Sequence, residues 1–340
     1  MKSILLASAS VIAFAGAAAA EVSFGGSATL GYNDDINNGI YWEGDLSVSL
    51  SQELDNGLTA AASFGLNITA DDLTGDTVTS EDFAISLTSE SAGLHFGVVD
   101  TATQRLWSAP DGMAADVFAE EGDWGDAQLR GDITYGGVDA SISYGVAAGE
   151  LVGLQVAATA TFGNFNLGAA YQDADSNAAA GAVSGTDSFG VSLGTSFSGA
   201  DVTLAYVDNG DDTSIGIGAS YPVGPVTVGA YYAVNDPSDD AWGLTADYAS
   251  GPLTVSAFYD VVGTDGVFGV EGSYDVGNNI TALFGVIDNG DAYYVAANVD
   301  MGGGASLLVS YAQDDNDPAN DAIGDPEYLH GITAEVGLSF

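Results

Sequence analysis

Apolar and polar residues alternate with a period of two along most of the chain after residue 20. In one example Phe189, Val191 and Leu193 are apolar, whereas Gly190 and Ser192 between them are small or polar. The pattern recurs in the segments 58–68, 189–197, 215–221, 226–232, 253–259, 305–311 and 332–340. Successive side chains of a strand point to opposite faces, so each segment is predicted to be a β-strand with one apolar face.

The connections between these segments are of two kinds that alternate along the chain. One kind is short and contains glycine: 54–57, 136–137, 163–164, 198–200, 222–224, 250–251, 275–278 and 300–304. The other kind is acidic and often longer: 33–39, 70–82, 100–128, 172–187, 208–212, 235–240, 288–291 and 313–330. Strict alternation places each kind at one end of the strands, which is typical of outer-membrane barrels and not of soluble β-sandwiches. The predicted fold is therefore all-β, a transmembrane antiparallel β-barrel with an even number of strands.

Aromatic residues at the strand ends support a barrel that faces lipid. Tyrosines lie at or near strand ends in the apolar register at positions 32, 135, 144, 171, 206, 221, 232, 248, 259, 274 and 311. Trp42, Trp242 and Tyr293 stand where a strand leaves an acidic connection. Tyrosine and tryptophan at both membrane interfaces form the aromatic girdles of such barrels, although tyrosine also favours strands in general.

The N-terminus has the layout of a secretory signal peptide. Met1 to Ser3 form a short basic start, an apolar stretch follows, and the run from Ala17 to Ala20 offers a small-residue cleavage site. This order predicts a cleaved signal peptide over residues 1–20 and a single barrel domain over residues 21–340. The alternative is an apolar N-terminal element of the fold itself.

The charge balance excludes some classes of function and favours one kind of pore. After residue 20 only Arg105 and Arg130 stand against 48 acidic residues, so the chain cannot neutralise nucleic-acid phosphates. No cysteine is present, and neither a nucleophile motif nor a buried carboxylate pair suggests an enzyme. A channel lined by one sign of charge concentrates counter-ions, which predicts a preference for cations.

The sequence resembles the Gram-negative trimeric porins, especially the alphaproteobacterial type. The resemblance covers nearly all of the chain after residue 20 and lies in the opening EVSFGG at 21–26, LDNGL at 54–58, TFGNF at 161–165 and the final strand ending in Phe340. It implies a homotrimer, Phe340 as a signal to the barrel assembly machinery, and a long third loop folded into the pore. It also implies about sixteen strands, whereas the alternating segments number nearer twenty.

The resemblance places the pore constriction at the connection 100–128 and the wall facing it. Candidate constriction residues are Glu43, Asp45, Arg105, Asp111, Asp116, Glu120, Glu121, Asp123, Asp126 and Arg130. Family members carry an inward basic cluster on early strands, but the matching positions here are Glu43 and Asp45, a reversal of charge. Arg105 and Arg130 either form the one positive wall or pair locally with carboxylates.

The acidic connections offer hard oxygen ligands that could bind Ca²⁺ weakly. The candidates are Asp208, Asp211, Asp212, Asp314, Asp315 and Asp317, although their spacing matches no EF-hand loop. No other cofactor is expected.

The predicted function is a pore for passive diffusion of small hydrophilic solutes and cations, with outer-membrane lipid and other copies of the chain as partners. The alternatives are a substrate-selective channel, which needs an aromatic slide or basic clamp in the lumen, and a non-conducting structural barrel, which needs a packed lumen.

Overall fold

Twenty antiparallel strands form one closed sheet in the computed structural model, which describes residues 20–36, 39–70, 77–118, 127–147, 149–173, 187–314, 323–324 and 326–340. The first ten are β1 (Glu21–Asn33), β2 (Ile40–Glu53), β3 (Thr59–Ala70), β4 (Thr77–Thr88), β5 (Ala92–Gly97), β6 (Gln128–Tyr135), β7 (Val138–Ala147), β8 (Glu150–Phe162), β9 (Phe165–Gln172) and β10 (Ser188–Phe197). The others are β11 (Ala200–Asp208), β12 (Thr213–Val223), β13 (Val226–Asp236), β14 (Ala241–Ser250), β15 (Leu253–Val262), β16 (Asp265–Gly277), β17 (Ile280–Ile287), β18 (Ala292–Gly302), β19 (Ala305–Asp314) and β20 (Gly331–Ser339).

Each strand pairs with its neighbours in chain order, and β1 closes the barrel by pairing with β20. The closing register runs from Ser27 opposite Ser339 to Asn33 opposite Thr333. Phe340 continues the seam, because its backbone N–H donates to the carbonyl oxygen of Gly26 at 2.8 Å. A closed barrel leaves no unpaired edge, so the backbone polar groups of every strand are satisfied within the sheet. The assembly role of Phe340 stays a prediction.

The strand count is twenty, so the expectation of about sixteen is wrong. Most connections in the second half of the chain are short, so residues 188–340 contain eleven strands. At the end that carries the long loops, β7 and β8 are separated by only two residues (148–149), as are β15 and β16 (263–264), and the loop pattern missed both connections. With a strand spacing of about 4.8 Å and a tilt of about 40°, opposing backbones lie roughly 40 Å apart, wider than in a sixteen-stranded barrel.

The two faces of the sheet differ in the way the alternation predicts. Large apolar side chains such as Leu30, Ile133 and Leu244 are exposed on the outer face. Tyrosine and tryptophan rings pack against each other there near the loop end, with centroid distances of 5.6 Å for Trp242–Tyr259 and 6.1 Å for Tyr293–Tyr311. An apolar outer band bordered by aromatic rings is the surface that suits a bilayer.

Most of the buried apolar residues lie inside the barrel, in two clusters against its wall. One cluster is formed by the connection between β5 and β6, which contains the short helix α1 (Ala102–Leu106). The other is formed by the connection between β19 and β20. Within the described ranges, no helix has the length and apolar character needed to cross a membrane. Residues 1–19 lie outside the described residues, so cleavage after Ala20 stays a prediction.

Candidate functional site

The lumen face of β1–β3 carries a group of hydrogen-bonded acidic side chains. Glu43 and Asp45 share the inward face of β2, and Leu46 on the opposite face is exposed to the outside. Asn67 Nδ2 donates to Glu43 Oε1 at 2.6 Å and to Asp45 Oδ1 at 2.7 Å. Ser27 Oγ donates to Asp45 Oδ2 at 2.7 Å. The donors are neutral, so these hydrogen bonds bring no positive charge to either carboxylate where it faces the lumen.

Both arginines of the barrel contact one carboxylate, that of Asp132 on β6. Its Oδ2 lies 3.2 Å from Arg130 Nε, 3.8 Å from Arg105 Nε and 3.1 Å from His95 Nε2. Ser141 Oγ donates to the other oxygen at 2.6 Å. The side chains of Arg130 and Asp132 are only 9% and 11% exposed. One carboxylate therefore offsets part of the positive charge of the two arginines, and this carboxylate stands on a strand and not on a loop.

The connection between β5 and β6 begins at this ion cluster. Arg130 Nη1 donates to the carbonyl oxygen of Asp100 at 2.6 Å, one residue before the helix cap. Thr101 caps α1 with a capping box, in which its side chain accepts from the Gln104 N–H and the Gln104 side chain accepts from the Thr101 N–H. A capping box satisfies two donors that the first turn would leave free, so the chain enters the lumen in a fixed direction.

The described part of this connection, residues 98–118, runs along the lumen face of β7–β13. Hydrogen bonds to four side chains of β7, β8, β12 and β13 tie it to the wall: Ala102 N to Ser143 Oγ at 2.8 Å, Thr103 Oγ1 to Gln155 Oε1 at 2.5 Å, Ala115 N to Ser214 Oγ at 3.0 Å, and two bonds with Asn235, from Ala114 N to its Oδ1 at 3.1 Å and from its Nδ2 to the carbonyl oxygen of Gly112 at 3.0 Å. All four wall residues are buried. Buried polar groups need partners, so these bonds fix the position of the connection in the barrel.

Glycines on the wall make room for the apolar side chains of the connection. Trp107 and Phe118 pack edge to face at a centroid distance of 5.1 Å. A Cβ built on Gly190 would lie 2.6 Å from the Trp107 ring and 2.8 Å from the Phe118 ring. A Cβ on Gly216 would lie 2.5 Å from the sulfur of Met113. The small lumen-facing residues of β10 and β12 are thus docking positions for the connection.

Replacing Gly190 by valine is expected to displace the connection from the wall and to broaden the distribution of single-channel conductances. The added methyl groups would overlap both rings, and overpacking of this kind costs about 1–3 kcal/mol. Planar-bilayer recordings of the purified protein measure the effect. Gly194→Val is the matched control on the same face of β10, where the nearest side-chain atom to a built Cβ is 3.8 Å away. Equal conductance distributions for both variants would contradict the docking role of Gly190.

The acidic constriction candidates in the β5–β6 connection have different surroundings. Asp116 turns back on its own segment, since both of its oxygens accept from the Trp107 indole N–H at 3.0 and 2.9 Å. Asp111 is exposed and borders a recess that Asp201 and Tyr231 also line. Glu120, Glu121, Asp123 and Asp126 lie outside the described residues.

The candidate calcium ligands do not come together in the described part of the chain. Asn209 Oδ1 accepts from the backbone N–H of Asp211 and Asp212 at 3.0 and 2.7 Å, a turn stabilised by its own side chain. Asp314 is buried at the end of β19, and Asp315 and Asp317 lie outside the described residues. No group of three or more acidic, histidine or cysteine side chains suitable for a metal ion occurs among the described residues.

Sequence reasoning missed the aromatic residues that face the lumen. Tyr41 Oη donates to Glu335 Oε2 at 2.7 Å, and Tyr231 Oη donates to Asp260 Oδ1 at 2.9 Å. Tyr294 is buried inside the barrel. The inward faces therefore carry aromatic rings beside small and acidic residues, and the inward register of these tyrosines was the signal that could have revealed them.

Comparisons with known proteins identify the family of the chain. The sequence model of the Gram-negative porin family matches residues 7–318. A five-substitution mutant of Rh. blastica porin is similar at 18% identity and a TM-score of 0.42, covering 94% of this chain and 99% of that one. A triple mutant of Rhodopseudomonas blastica porin is similar at 19% identity and a TM-score of 0.41, with the same coverage. No curated protein sequence matches the chain. Because the family model spans most of its length, the chain belongs to the Gram-negative porins.

Proposed function

We propose that this porin is a cation-selective diffusion channel. As a Gram-negative porin it is an outer-membrane pore for passive diffusion and not an enzyme. One observation carries the preference for cations: both arginines contact the Asp132 carboxylate, whereas Glu43 and Asp45 face the lumen with only neutral hydrogen-bond partners. A lumen with uncompensated negative charge concentrates cations and repels anions.

Further acids on the far wall support the same preference. Asp201, Asp247 and Asp260 occupy lumen-facing positions on β11, β14 and β15, and the first two are exposed. Acids on several sides of a lumen produce a field of one sign across it, without the transverse field that a facing basic wall would create.

The wild-type protein is expected to give a zero-current potential of the sign that reports cation preference. The measurement uses a planar bilayer with a gradient of KCl between the two chambers. The preference should weaken as the total salt concentration rises, because the Debye length falls from about 10 Å at 0.1 M to about 3 Å at 1 M. A potential of the opposite sign would refute the proposal, and the absence of any conductance would refute the pore as well.

The proposed homotrimer draws support from the outer face of β3–β5. Residues 43–106 contain neither tyrosine nor tryptophan, whereas aromatic rings recur at strand ends over much of the rest of the barrel. Tyrosine and tryptophan anchor a protein at the lipid interface, so an apolar face without them suits contact with another copy of the chain. We therefore place β3–β5 in the interface between subunits.

A further inference from the structure

An apolar patch lies on the lumen face of β17–β19, where a water-filled pore would normally be polar. Tyr294, Ala296 and Ala312 are buried there, and Leu283 and Leu308 pack beside them. The patch faces inward, because β18 presents its alternate residues, such as Val295, to the outside. Contact between an apolar lumen wall and water would be unfavourable, so the patch is expected to be covered by another segment of the chain.

The cover is the described end of the β19–β20 connection, residues 323–324 and 326–330, here called the strap. Ile323 and Tyr328 are only 1% and 4% exposed. Their backbones form an antiparallel bridge, with N–H to carbonyl distances of 3.1 and 2.9 Å. The Tyr328 ring lies against the Tyr294 ring at a centroid distance of 4.6 Å. The strap thus contributes an apolar face that matches the patch.

The fit between the strap and the wall is close. A Cβ built on Gly324 of the strap, or on Gly285 of β17, would lie 2.2 Å from Cε1 of Tyr294. Gly324 also has a φ of +89°, a conformation that favours glycine. The Tyr294 ring therefore lies in a slot between two backbone segments. The slot is open because both segments carry glycine there.

The far end of the strap is tied to the first loop of the barrel. Asn33 Nδ2 donates to the carbonyl oxygen of His330 at 2.7 Å and to Thr333 Oγ1 at 2.9 Å. The Ile332 N–H donates to Asp34 Oδ1 at 2.6 Å. Of these bonds, the one from Asn33 at the end of β1 to His330 holds the strap itself, and because Asn33 is fully buried, water does not compete for it. The other two hold the start of β20.

The strap reaches well below the mouth of the barrel. The covered wall runs from Ala292 at the start of β18 to Ala296, about 13 Å along the strand at a rise of ~3.3 Å per residue and about 10 Å along the barrel axis at a tilt of about 40°. The connection between β5 and β6 occupies the wall of β7–β13, at a different part of the circumference. In contrast, Glu43 and Asp45 on β2 are exposed and covered by no described residue.

We propose that the strap is a second pore-narrowing segment, which acts with the β5–β6 connection to direct solutes along the acidic wall at Glu43 and Asp45. This rests on the function of the chain as a pore. A twenty-stranded barrel encloses a wide lumen, and two inserted segments restrict it to a sieve for small solutes.

Thiol accessibility tests whether the strap covers the wall. The chain has no cysteine, so each introduced thiol is unique. Ala312→Cys, at a fully buried position beneath the strap, should resist a membrane-impermeant methanethiosulfonate. Ser256→Cys, at an exposed lumen position on β15, is the control that should react fully. Adding Ile323→Asn and Tyr328→Asn to Ala312→Cys should make that thiol reactive. Ready modification of Ala312→Cys alone would overturn the proposal.

Conductance tests whether the strap narrows the pore. Ile323→Asn combined with Tyr328→Asn should raise the single-channel conductance in concentrated KCl at least ~1.5-fold. Gly324→Val, which drives the strap off Tyr294 by overlap, should shift it in the same direction. Heat-modifiable mobility in electrophoresis verifies that each variant forms a barrel. If the same changes make the Ala312→Cys thiol reactive but leave the conductance at the wild-type value, the strap does not narrow the pore, and the narrowing role is overturned. A wild type that does not conduct would instead contradict the pore itself.

Discussion

Replacing Asp132 by asparagine is expected to lower the free energy of unfolding by about 3 kcal/mol. The carboxylate is the common partner of Arg130, Arg105 and His95, and the Arg130 side chain is only 9% exposed. Removing one member of a buried ion pair leaves the other charge without compensation, which costs about 3–5 kcal/mol. Asparagine can still accept a hydrogen bond, so the lower end of that range is expected.

The loss of stability is measured by urea titration of the protein in detergent micelles, with heat-modifiable mobility as a second readout. Asp201→Asn is the control, because this lumen-facing aspartate is exposed and hydrogen-bonds only to Ser196 among the described contacts. That change should alter the free energy of unfolding by no more than about 0.5 kcal/mol. Equal midpoints for the two variants would show that the Asp132 cluster is not a stabilising centre.

A double replacement distinguishes the cost of leaving a buried charge uncompensated from the cost of losing the Arg130–Asp132 contact. Arg130→Met combined with Asp132→Leu removes both members of the pair and leaves no isolated buried charge. It should destabilise the barrel less than Asp132→Asn alone, since apolar replacement of buried ion pairs is often neutral. Greater destabilisation in the double variant would mean that the hydrogen bond from Arg130 to the carbonyl of Asp100 dominates the energetics.

The barrel and the orientation of its strands follow from local patterns that a sequence displays directly. Alternation along β10 or β20 specifies which side chains face lipid, and the acidic connections specify one end of the barrel. The connections 148–149 and 263–264 were missed because they lack the acidic residues that mark the other connections at that end. Because each has only two residues, a chain of 340 residues has room for twenty strands.

The contacts inside the lumen could not be predicted in the same way. The resemblance to the porin family and the alternation along β2 together place Glu43 and Asp45 inward. The meeting of Arg105, Arg130 and His95 at Asp132 depends instead on register between strands and on where α1 lies. The strap has no periodic pattern, and its apolar residues stand isolated in an acidic segment. Such contacts between distant parts of the chain are set by packing, which local periodicity does not encode.

Neutralising Glu43 and Asp45 together, as Glu43→Gln and Asp45→Asn, is expected to reduce the preference for cations even at high salt. In a water-filled lumen, each carboxylate within about 5 Å of a permeating ion raises the local cation concentration by roughly 2-fold at 0.1 M salt and by about 1.3-fold at 1 M. The reduction should therefore be smaller at high salt but still measurable. The amides are isosteric and can still accept from Asn67 and Ser27, so the wall geometry should persist. The zero-current potential in a KCl gradient, measured at low and at high total salt, reports the change.

The matched control neutralises two acids at the loop end, Asp211→Asn with Asp239→Asn. Both are exposed outside the strands, so their field reaches the ion path through water and is screened within about 3 Å at 1 M salt. The control should therefore lower cation preference at low salt and leave it unchanged at high salt, whereas the Glu43 and Asp45 variant should lower it under both conditions. If the two double variants show the same salt dependence, ions do not pass close to Glu43 and Asp45, and the constriction lies on another part of the wall.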